Sequence, residues 1–346
     1  MSTQGEARRR PPRRPTLKDI AQVAGVSPST AARALSGEGY VGAAANKRVL
    51  AAADQLGYVP DVLARSLRKQ VSRSIGVLVS DLRNPFYADL AAGIGRHARA
   101  NGYTMMLSED GGSPEEELGA AQAFVATRVA GVVVTPVSEE ISAYLLRQRV
   151  PVVEADREFT TERCDSVVVD NMAASQRLSE HLISLGHRRI ALLIDETDWT
   201  TGRDRFHGYQ ESLTRSGITA DPTLLVATGS DVAAARKAAV ELLVRRDRPT
   251  AVFSANNVIA EGVWRAAQDL GLRIPADLSL VSFDDAPWMS MVTPGVTAVA
   301  QDAVALGEAA IDALLARIKD PEAPARRVVI DAEIQARGST AGPRQP

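Results

Sequence analysis

Polar side chains with complementary hydrogen-bonding chemistry follow several apolar runs of this 346-residue chain. Carboxylates accept hydrogen bonds and a forked guanidinium donates them, so together they match vicinal hydroxyl groups, which do both. Asn84 suits a helix cap or a ligand contact, and Phe86 and Tyr87 offer flat faces to a sugar ring. Taken alone, these three residues are better explained as a cap with core aromatics, but further candidates favour a ligand site: Asp156, Arg157, Arg205, Asn256, Asp284 and Gln301.

Signals for catalysis or for a cofactor are weak. Gly93-Ile94-Gly95 opens a loose dinucleotide-binding pattern, but it falls inside a predicted helix instead of directly after a strand. The four histidines lack the i, i+4 spacing with a carboxylate partner that metal sites show. Neither a nucleophile elbow nor a Walker loop occurs. We therefore expect no enzyme activity, no cofactor and no metal.

Alternating buried strands and amphipathic helices predict the elements that hold the polar set. Ten continuous apolar runs lie between Ile75 and Val299, and such runs are typical of parallel sheets that are covered on both faces. Their number predicts two doubly wound lobes. Ligands of such folds bind at the carboxyl ends of strands, so we expect the polar set to converge on one cleft between the lobes.

The segment from Thr16 to Leu35, TLKDIAQVAGVSPSTAARAL, has the pattern of a DNA-binding helix-turn-helix. Apolar residues recur at three-and-four spacing on both sides of Gly25, which tolerates the positive φ of a chain reversal. Ser27 and Pro28 then supply a cap and a first-turn proline. An ordinary helical hairpin in a globular core is the alternative interpretation.

Charge is distributed unevenly along the chain. Residues 1–70 contain 12 Lys and Arg against 5 Asp and Glu, net +7, whereas the remainder contains 28 against 37, net −9. A nucleic-acid module joined to an unrelated sensor produces this separation. The chain has one cysteine, no apolar secretory leader and no run long enough to span a membrane, so we expect a cytoplasmic, nucleoid-associated protein.

Three motifs in order resemble the lac repressor/galactose repressor family of bacterial transcription regulators: the helix-turn-helix, the linker LGYVPDVLARSL and the segment IGVLVSDLRNPFYADL. The resemblance runs from about residue 16 to residue 337. It implies a three-helix module whose second helix docks in the major groove, a homodimer on a near-palindromic double-stranded DNA operator, and a hinge helix that folds on DNA. It also implies a sensor core similar to a periplasmic sugar-binding protein.

The same resemblance assigns individual DNA contacts. Base contacts fall on Pro28, Ser29 and Arg33, and Leu67 matches the leucine that enters the minor groove at the operator centre. Arg33 can pair bidentately with guanine, which is worth roughly 1–3 kcal/mol of discrimination. Phosphate contacts are implied for Thr16, Ser27, Thr30, Ser36 and Tyr40.

The polar strand-end set resembles that of ribose- and galactose-type binding proteins, so a small-molecule sugar effector is predicted, with a purine or another metabolite as the alternative. Trp199 and Trp288 are further stacking candidates. The chain departs from the family pattern at Gly42, where a capping Ser or Thr is usual, and at Asn257, where Asp is usual. We predict a transcriptional repressor whose operator binding is controlled by closure of the cleft. A soluble sugar-binding protein without a regulatory role is the competing interpretation.

The predicted fold is an all-α N-terminal helix-turn-helix module plus an α/β periplasmic-binding-protein-like core of two doubly wound parallel-sheet lobes. We assign a disordered basic tail to residues 1–15, the helix-turn-helix domain to 16–60 and the hinge to 61–72. The effector-binding and dimerisation core spans 73–337, with an N-terminal lobe at 73–170 and 300–337 and a C-terminal lobe at 171–299. Residues 338–346 are predicted to be a second tail.

Overall fold

The computed structural model describes residues 15–37, 39–58, 72–159, 163–195, 197–229 and 231–344. The chain divides into two compact units, Met1–Val71 and Ser72–Pro346. Residues 1–14 of the predicted tail and 61–71 of the predicted hinge, including Leu67, lie outside the described residues. No described helix is both long and apolar enough to cross a membrane.

The first unit contains the predicted helix-turn-helix. Ile20, Ala31 and Val49, one from each helix of the unit, are completely buried and form its small core. Gly25 has a φ of 63°, a backbone conformation that favours glycine, and turns the chain between the first two helices. Ser27 then caps the second helix by accepting a hydrogen bond from a backbone amide at 3.1 Å. The helices are α1 (Leu17–Ala24), α2 (Pro28–Ser36) and α3 (Ala43–Gln55).

Helix α3 begins at Gly42 without a side-chain cap, as its sequence predicts. Arg48 of this helix donates from Nε to the carbonyl oxygen of Ala24 at 3.1 Å. The bond satisfies a carbonyl group at the C-terminus of α1, where intrahelical partners run out. It therefore ties the first helix to the third.

The second unit alternates strands and helices. The first sheet contains β1 (Ser74–Val79), β2 (Thr104–Glu109), β3 (Val132–Val134), β4 (Val152–Ala155), β5 (Asp165–Val169) and β11 (Arg327–Ile330). The second contains β6 (Ile190–Ile194), β7 (Leu225–Ala227), β8 (Ala251–Ser254), β9 (Ser279–Phe283), β10 (Thr297–Gln301) and β12 (Ala332–Gln335). The helices are α4 (Pro85–Ala100), α5 (Pro114–Ala126), α6 (Glu139–Arg147), α7 (Asn171–Ser184), α8 (Thr200–Arg215), α9 (Val232–Leu243), α10 (Asn257–Asp269), α11 (Pro287–Met291) and α12 (Ala303–Lys319), with a 3-10 turn at Pro222–Leu224.

The strand order confirms two doubly wound lobes. It is β11-β5-β4-β3-β1-β2 in the first sheet and β12-β10-β9-β8-β6-β7 in the second. Every described pairing is parallel except that of β12 with β10. The ten predicted runs correspond to β1 through β10. Strand β12 was missed because its polar and apolar residues alternate and form no continuous apolar run. Strand β11 was also missed, although it contains a short apolar run from Val328 to Ile330.

The lobe boundaries differ from the predicted ones. Residues 300–301 end β10, and residues 332–335 form β12, which pairs antiparallel with β10 in the second sheet. The assignment of all of 300–337 to the N-terminal lobe was therefore wrong. Strand β12 satisfies the backbone groups along the open edge of β10, which would otherwise remain unpaired. Of this segment, α12 packs on the first lobe and β11 pairs with β5.

The predicted C-terminal tail is packed against the second lobe as far as residue 344. The buried hydroxyl of Ser339 donates to the carbonyl oxygen of Leu280 at 2.6 Å and accepts from the amide of Thr297 at 2.8 Å. His187 Nε2 lies 2.8 Å from the carbonyl oxygen of Ala341. The prediction of a tail was wrong for residues 338–344, because they satisfy polar groups that the sheet leaves open.

The glycine pattern at residues 93–95 serves helix packing. A Cβ atom at Gly93 would lie 2.5 Å from the carbonyl oxygen of Val304, and one at Gly307 would lie 2.6 Å from that of Leu90. Helices α4 and α12 approach each other closely because both positions lack a side chain. The position of Gly93 inside α4 agrees with the rejection of a dinucleotide site.

Candidate functional site

A cavity of about 300 Å³ lies between the two lobes. Its walls follow the carboxyl ends of strands from both sheets, including β1, β4, β6, β8 and β9. Eight of the nine predicted effector residues line it: Asn84, Phe86, Tyr87, Asp156, Arg157, Arg205, Asn256 and Asp284. The predicted convergence of the polar set on one cleft is therefore present, with Phe86, Tyr87 and Arg205 contributed by helices α4 and α8 and the others by segments that follow strands. Contact of these residues with an effector stays a prediction.

Asp156 and Asp284 occupy equivalent positions in the two lobes. Asp156 directly follows β4 and Asp284 directly follows β9. Their φ angles of 68° and 64° lie in the left-handed region, which few residues other than glycine adopt and which aspartate tolerates better than most. Both side chains are buried. Backbone conformations of this kind concentrate at ligand sites.

Arg157 is held in the cleft by first-lobe hydroxyl groups and by one indole. Its Nη1 donates to Ser80 Oγ at 3.0 Å and its Nη2 to the Tyr87 hydroxyl at 2.7 Å. The guanidinium carbon lies 3.7 Å from the centroid of Trp199, in cation–π contact. Nε is buried and has no hydrogen-bond partner among the described residues, although Asp156 Oδ2 lies 3.9 Å away. This N–H is therefore available to a ligand.

Arg205 is the corresponding cation of the second lobe. Nε donates to Asn171 Oδ1 at 2.9 Å, and Nη1 donates to the carbonyl oxygen of Ala255 at 2.7 Å. The same Nη1 lies 3.8 Å from Asp284 Oδ2, and the guanidinium stacks on Phe283 at 3.7 Å. Arg205 therefore has a structural role as well as its predicted effector contact.

Burial governs the acid–base behaviour of the cleft. Burial raises the pKa values of Asp156 and Asp284 above their ordinary range, while the nearby guanidinium groups of Arg157 and Arg205 lower them in part. Burial also raises the pKa of Asp110, which precedes the cleft residues Gly111 and Gly112, to about 6. The site is thus a largely dehydrated network in which opposite charges offset one another.

Side chains of α4 and α10 connect the lobes beside the cavity. Asn257 donates from Nδ2 to Asn84 Oδ1 at 2.9 Å. Asn84 Oδ1 also accepts from the amide of Phe86 at 3.1 Å and so caps α4. Asn256 caps α10 and donates to Asp195 at 2.9 Å. The helix-cap explanation of Asn84 and its place in the cleft are therefore both correct.

The exposed face of α2 carries the predicted base-contacting residues. Pro28, Ser29 and Arg33 are exposed to solvent. Arg33 Nε lies 3.4 Å from the carbonyl oxygen of Ser29, and Ser27 Oγ lies 2.9 Å from the hydroxyl oxygen of Thr30. The arrangement leaves a forked cation on a polar helix face of the kind that reads base edges.

The remaining predicted phosphate contacts differ in how they are held. Tyr40 is 91% exposed and Ser36 is half-buried, with its hydroxyl donating to the carbonyl oxygen of Arg33 at 3.2 Å. Thr16 donates from both its amide and its hydroxyl to the Asp19 carboxylate at 2.7 Å. Thr16 therefore has a helix-capping role in addition to its predicted contact with DNA.

Comparison with known proteins identifies the family. Residues 16–61 match the profile of bacterial regulatory proteins of the lacI family, and residues 179–340 match a periplasmic binding protein-like domain. The ribose operon repressor of Haemophilus influenzae is 30% identical over 317 residues, which cover 91% of this chain and 96% of the relative. The chain belongs to the lacI family.

Other lacI-family proteins extend the likeness. A transcriptional repressor of Vibrio atlanticus, PurR, is 31% identical over 94% of this chain and 98% of the relative. The crystal structure of the lac repressor dimer bound to operator and the anti-inducer ONPF has a TM-score of 0.83 at 28% identity, and covers 95% of this chain and 100% of that one. A lacI-family regulator from Enterococcus faecium with bound ribose has a TM-score of 0.71 at 27% identity, covering 78% and 100%.

Membership of the lacI family confirms the main functional prediction. The protein is a DNA-binding transcriptional repressor under the control of a small-molecule effector, and it is not an enzyme. The named relatives are a ribose operon repressor and the repressor PurR, so the comparisons do not fix the chemical class of the effector of this protein.

Gln301 is the predicted effector residue that does not line the cavity of this lacI-family protein. Its Nε2 instead donates to Asp284 Oδ1. Its Nε2 therefore orients a neighbouring carboxylate, while its Oε1 is buried and has no hydrogen-bond partner among the described residues. Of the two stacking candidates, Trp199 lines the cavity, whereas Trp288 packs edge-on against Trp264 with centroids 6.1 Å apart.

Sequence reasoning missed several residues that line the cleft. Ser80 and Asp195 directly follow β1 and β6, so the strand-end rule that selected the others could have found them. Thr201 and Asp231 lie at the beginnings of α8 and α9, where a polar residue reads as an ordinary cap. No sequence signal separates these two from other helix caps.

Proposed function

We propose that the effector is an uncharged monosaccharide that binds in the interlobe cleft. The observation that carries this proposal is the placement of one buried carboxylate and one buried guanidinium from each lobe around the same small cavity: Asp156 with Arg157, and Asp284 with Arg205. Hydroxyl groups that donate to the carboxylates and accept from the guanidinium groups would satisfy both lobes at once. A ligand that bridges the lobes stabilises the closed cleft.

The aromatic rings of the cleft favour a sugar over a purine. Arg157 covers a face of Trp199 and Arg205 covers a face of Phe283, each at 3.7 Å. Phe86 packs edge-on against Tyr87 at a centroid distance of 5.2 Å, and both rings line the cavity. A purine gains most of its affinity from flat stacking, whereas a sugar ring needs hydrogen-bond partners on many sides. The polar lining meets the second requirement.

On DNA, we propose that a homodimer reads a near-palindromic operator. Pro28, Ser29 and Arg33 would contact base edges, with phosphate contacts from the residues assigned above, and Leu67 would enter the minor groove at the centre. Effector binding changes operator affinity only through a difference in its affinity for the open and closed cores. We propose the cytoplasm, on nucleoid DNA, as the site of action.

The test combines DNA binding with an effector screen. Fluorescence anisotropy of the full chain on palindromes with a central CpG should show sequence-specific binding that weakens steeply between about 50 and 200 mM salt. A thermal-shift screen of monosaccharides and nucleobases should then raise the melting temperature with a sugar, and that sugar should change operator affinity. If the sugar releases the protein from the operator, it acts as an inducer; if it tightens operator binding, it acts as a corepressor. If purines raise the melting temperature and no sugar does, the proposed sugar effector is refuted. If the full chain shows no sequence-specific DNA binding, the proposed operator recognition is refuted.

A further inference from the structure

Trp199 belongs to the second lobe but contacts the first. It is the N-cap residue of α8, which packs against α7 and β6 of the second lobe. Its indole lies 3.7 Å from the guanidinium carbon of Arg157, which follows β4 of the first lobe. A Cβ atom at Gly112, which follows β2, would lie 3.6 Å from the edge of the same indole. The ring therefore spans the cleft and meets the opposite wall at two points.

The backbone beside Trp199 is tied to the first lobe as well. Thr200 Oγ1 accepts a hydrogen bond from the amide of Glu158 at 3.2 Å. The beginning of α8 is therefore bonded to the first lobe at the residue next to the indole. A Cβ atom at Gly112 would lie at ordinary van der Waals distance from the indole, so the φ of +80° and not the ring favours glycine at this position.

This placement affects the effector in two ways. The indole fixes the plane of the Arg157 guanidinium, whose Nη1 and Nη2 each donate one hydrogen bond, to Ser80 and Tyr87, while Nε has no hydrogen-bond partner among the described residues. The ring also fills one side of a cavity that, at about 300 Å³, is at the small end of ligand sites. A second sugar unit extending past Arg157 would have to occupy the volume of the indole.

We propose that Trp199 determines the specificity for the effector, because it orients Arg157 and limits the effector to a single sugar ring. This proposal rests on the proposed sugar effector. Replacement by alanine removes the stacking partner and opens the cleft toward Gly112. Affinity for the monosaccharide should fall, and a disaccharide should become able to enter. If Trp199 had a purely structural role, its replacement would weaken monosaccharide binding but would not allow a disaccharide to enter.

Titration calorimetry of the full chain with a panel of pentoses and hexoses, and with cellobiose as the disaccharide, tests this assignment. The unmodified protein should bind a monosaccharide and not cellobiose. Trp199→Ala should bind that monosaccharide at least about tenfold more weakly and should acquire cellobiose binding. Trp199→Phe should retain monosaccharide binding and still exclude cellobiose. Trp288→Phe, the same change outside the cleft, is the matched control and should alter neither affinity.

Fluorescence keeps the test decisive if the alanine variant does not fold. The effector should change the tryptophan emission of the unmodified protein and of Trp288→Phe but not that of Trp199→Phe. Cellobiose binding by the unmodified protein, unchanged selectivity in a folded Trp199→Ala, or an effector-dependent signal that persists in Trp199→Phe would each overturn the assignment. Binding of purines and of no sugar would instead overturn the proposed function on which it rests.

Discussion

Replacing Arg205 by alanine should destabilise the core by about 3–5 kcal/mol, the usual cost of removing one partner of a buried ion pair. The guanidinium makes two hydrogen bonds, to Asn171 and to the carbonyl oxygen of Ala255, and charge-assisted bonds contribute roughly 1.5–3 kcal/mol each. It also lies 3.8 Å from Asp284 and stacks on Phe283. This loss is large against the ~5–15 kcal/mol that stabilises a typical domain.

The loss should depend on pH in a defined direction. Burial raises the pKa of Asp284, and Arg205 lowers it in part. Without Arg205 the folded-state pKa of this carboxyl rises further above its unfolded value. Such a group contributes full stability below its unfolded pKa and loses that contribution as the pH rises through its folded pKa. The variant should therefore be least stable relative to the unmodified protein above the folded-state pKa of Asp284 and should recover as the pH falls toward the ordinary pKa of an aspartate.

Urea unfolding followed by tryptophan fluorescence measures this cost, because all three tryptophans lie in the second unit. Arg205→Lys keeps the charge but loses the planar fork, and should be intermediate in stability. Adding Asp284→Asn to Arg205→Ala should restore part of the lost stability by removing the uncompensated carboxylate. Effector binding should be lost in the alanine variant, while specific operator binding remains. A cost below about 1 kcal/mol that is the same at every pH would refute the reasoning.

Three further outcomes follow from particular contacts. Glu117 accepts a hydrogen bond from the amide of Val137, and burial raises the pKa of its carboxyl to about 7. The free energy of unfolding should therefore fall, on the order of 2 kcal/mol, as the pH rises from the ordinary pKa of a glutamate to about 7. Urea titrations of Glu117→Gln should show a flatter dependence on pH. Asn257→Asp should set a carboxylate against Asn84 Oδ1 and weaken effector binding about tenfold by calorimetry, and equal or tighter binding would contradict this. Arg33→Ala should cost roughly 1–3 kcal/mol on the operator in gel shifts and relax one base preference, with the thermal stability of the core unchanged.

Local patterns predicted those elements whose stability depends on neighbours in sequence. The spacing of apolar residues around Gly25 and the cap at Ser27 predicted the first two helices, and both are present. Continuous apolar runs predicted β1 through β10, and most of these strands are buried along their length, as parallel sheets covered on both faces require. Strand β12 has no such run and the exposed strand β11 has only a short one, and both were missed together with the packing of residues 338–344.

By itself, the sequence determined the class of protein, the helix-turn-helix and the strand ends that converge on the cleft. These depend on hydrophobic periodicity and on the rule that parallel strands present their carboxyl ends together. Only the tertiary structure decided how the side chains are used: Gln301 orients Asp284, Asn257 joins the lobes, and Trp199 stacks on Arg157. In each case the two residues are separated in sequence, and they meet either because neighbouring strands of one sheet end together, as for Gln301 and Asp284, or because the two lobes pack together.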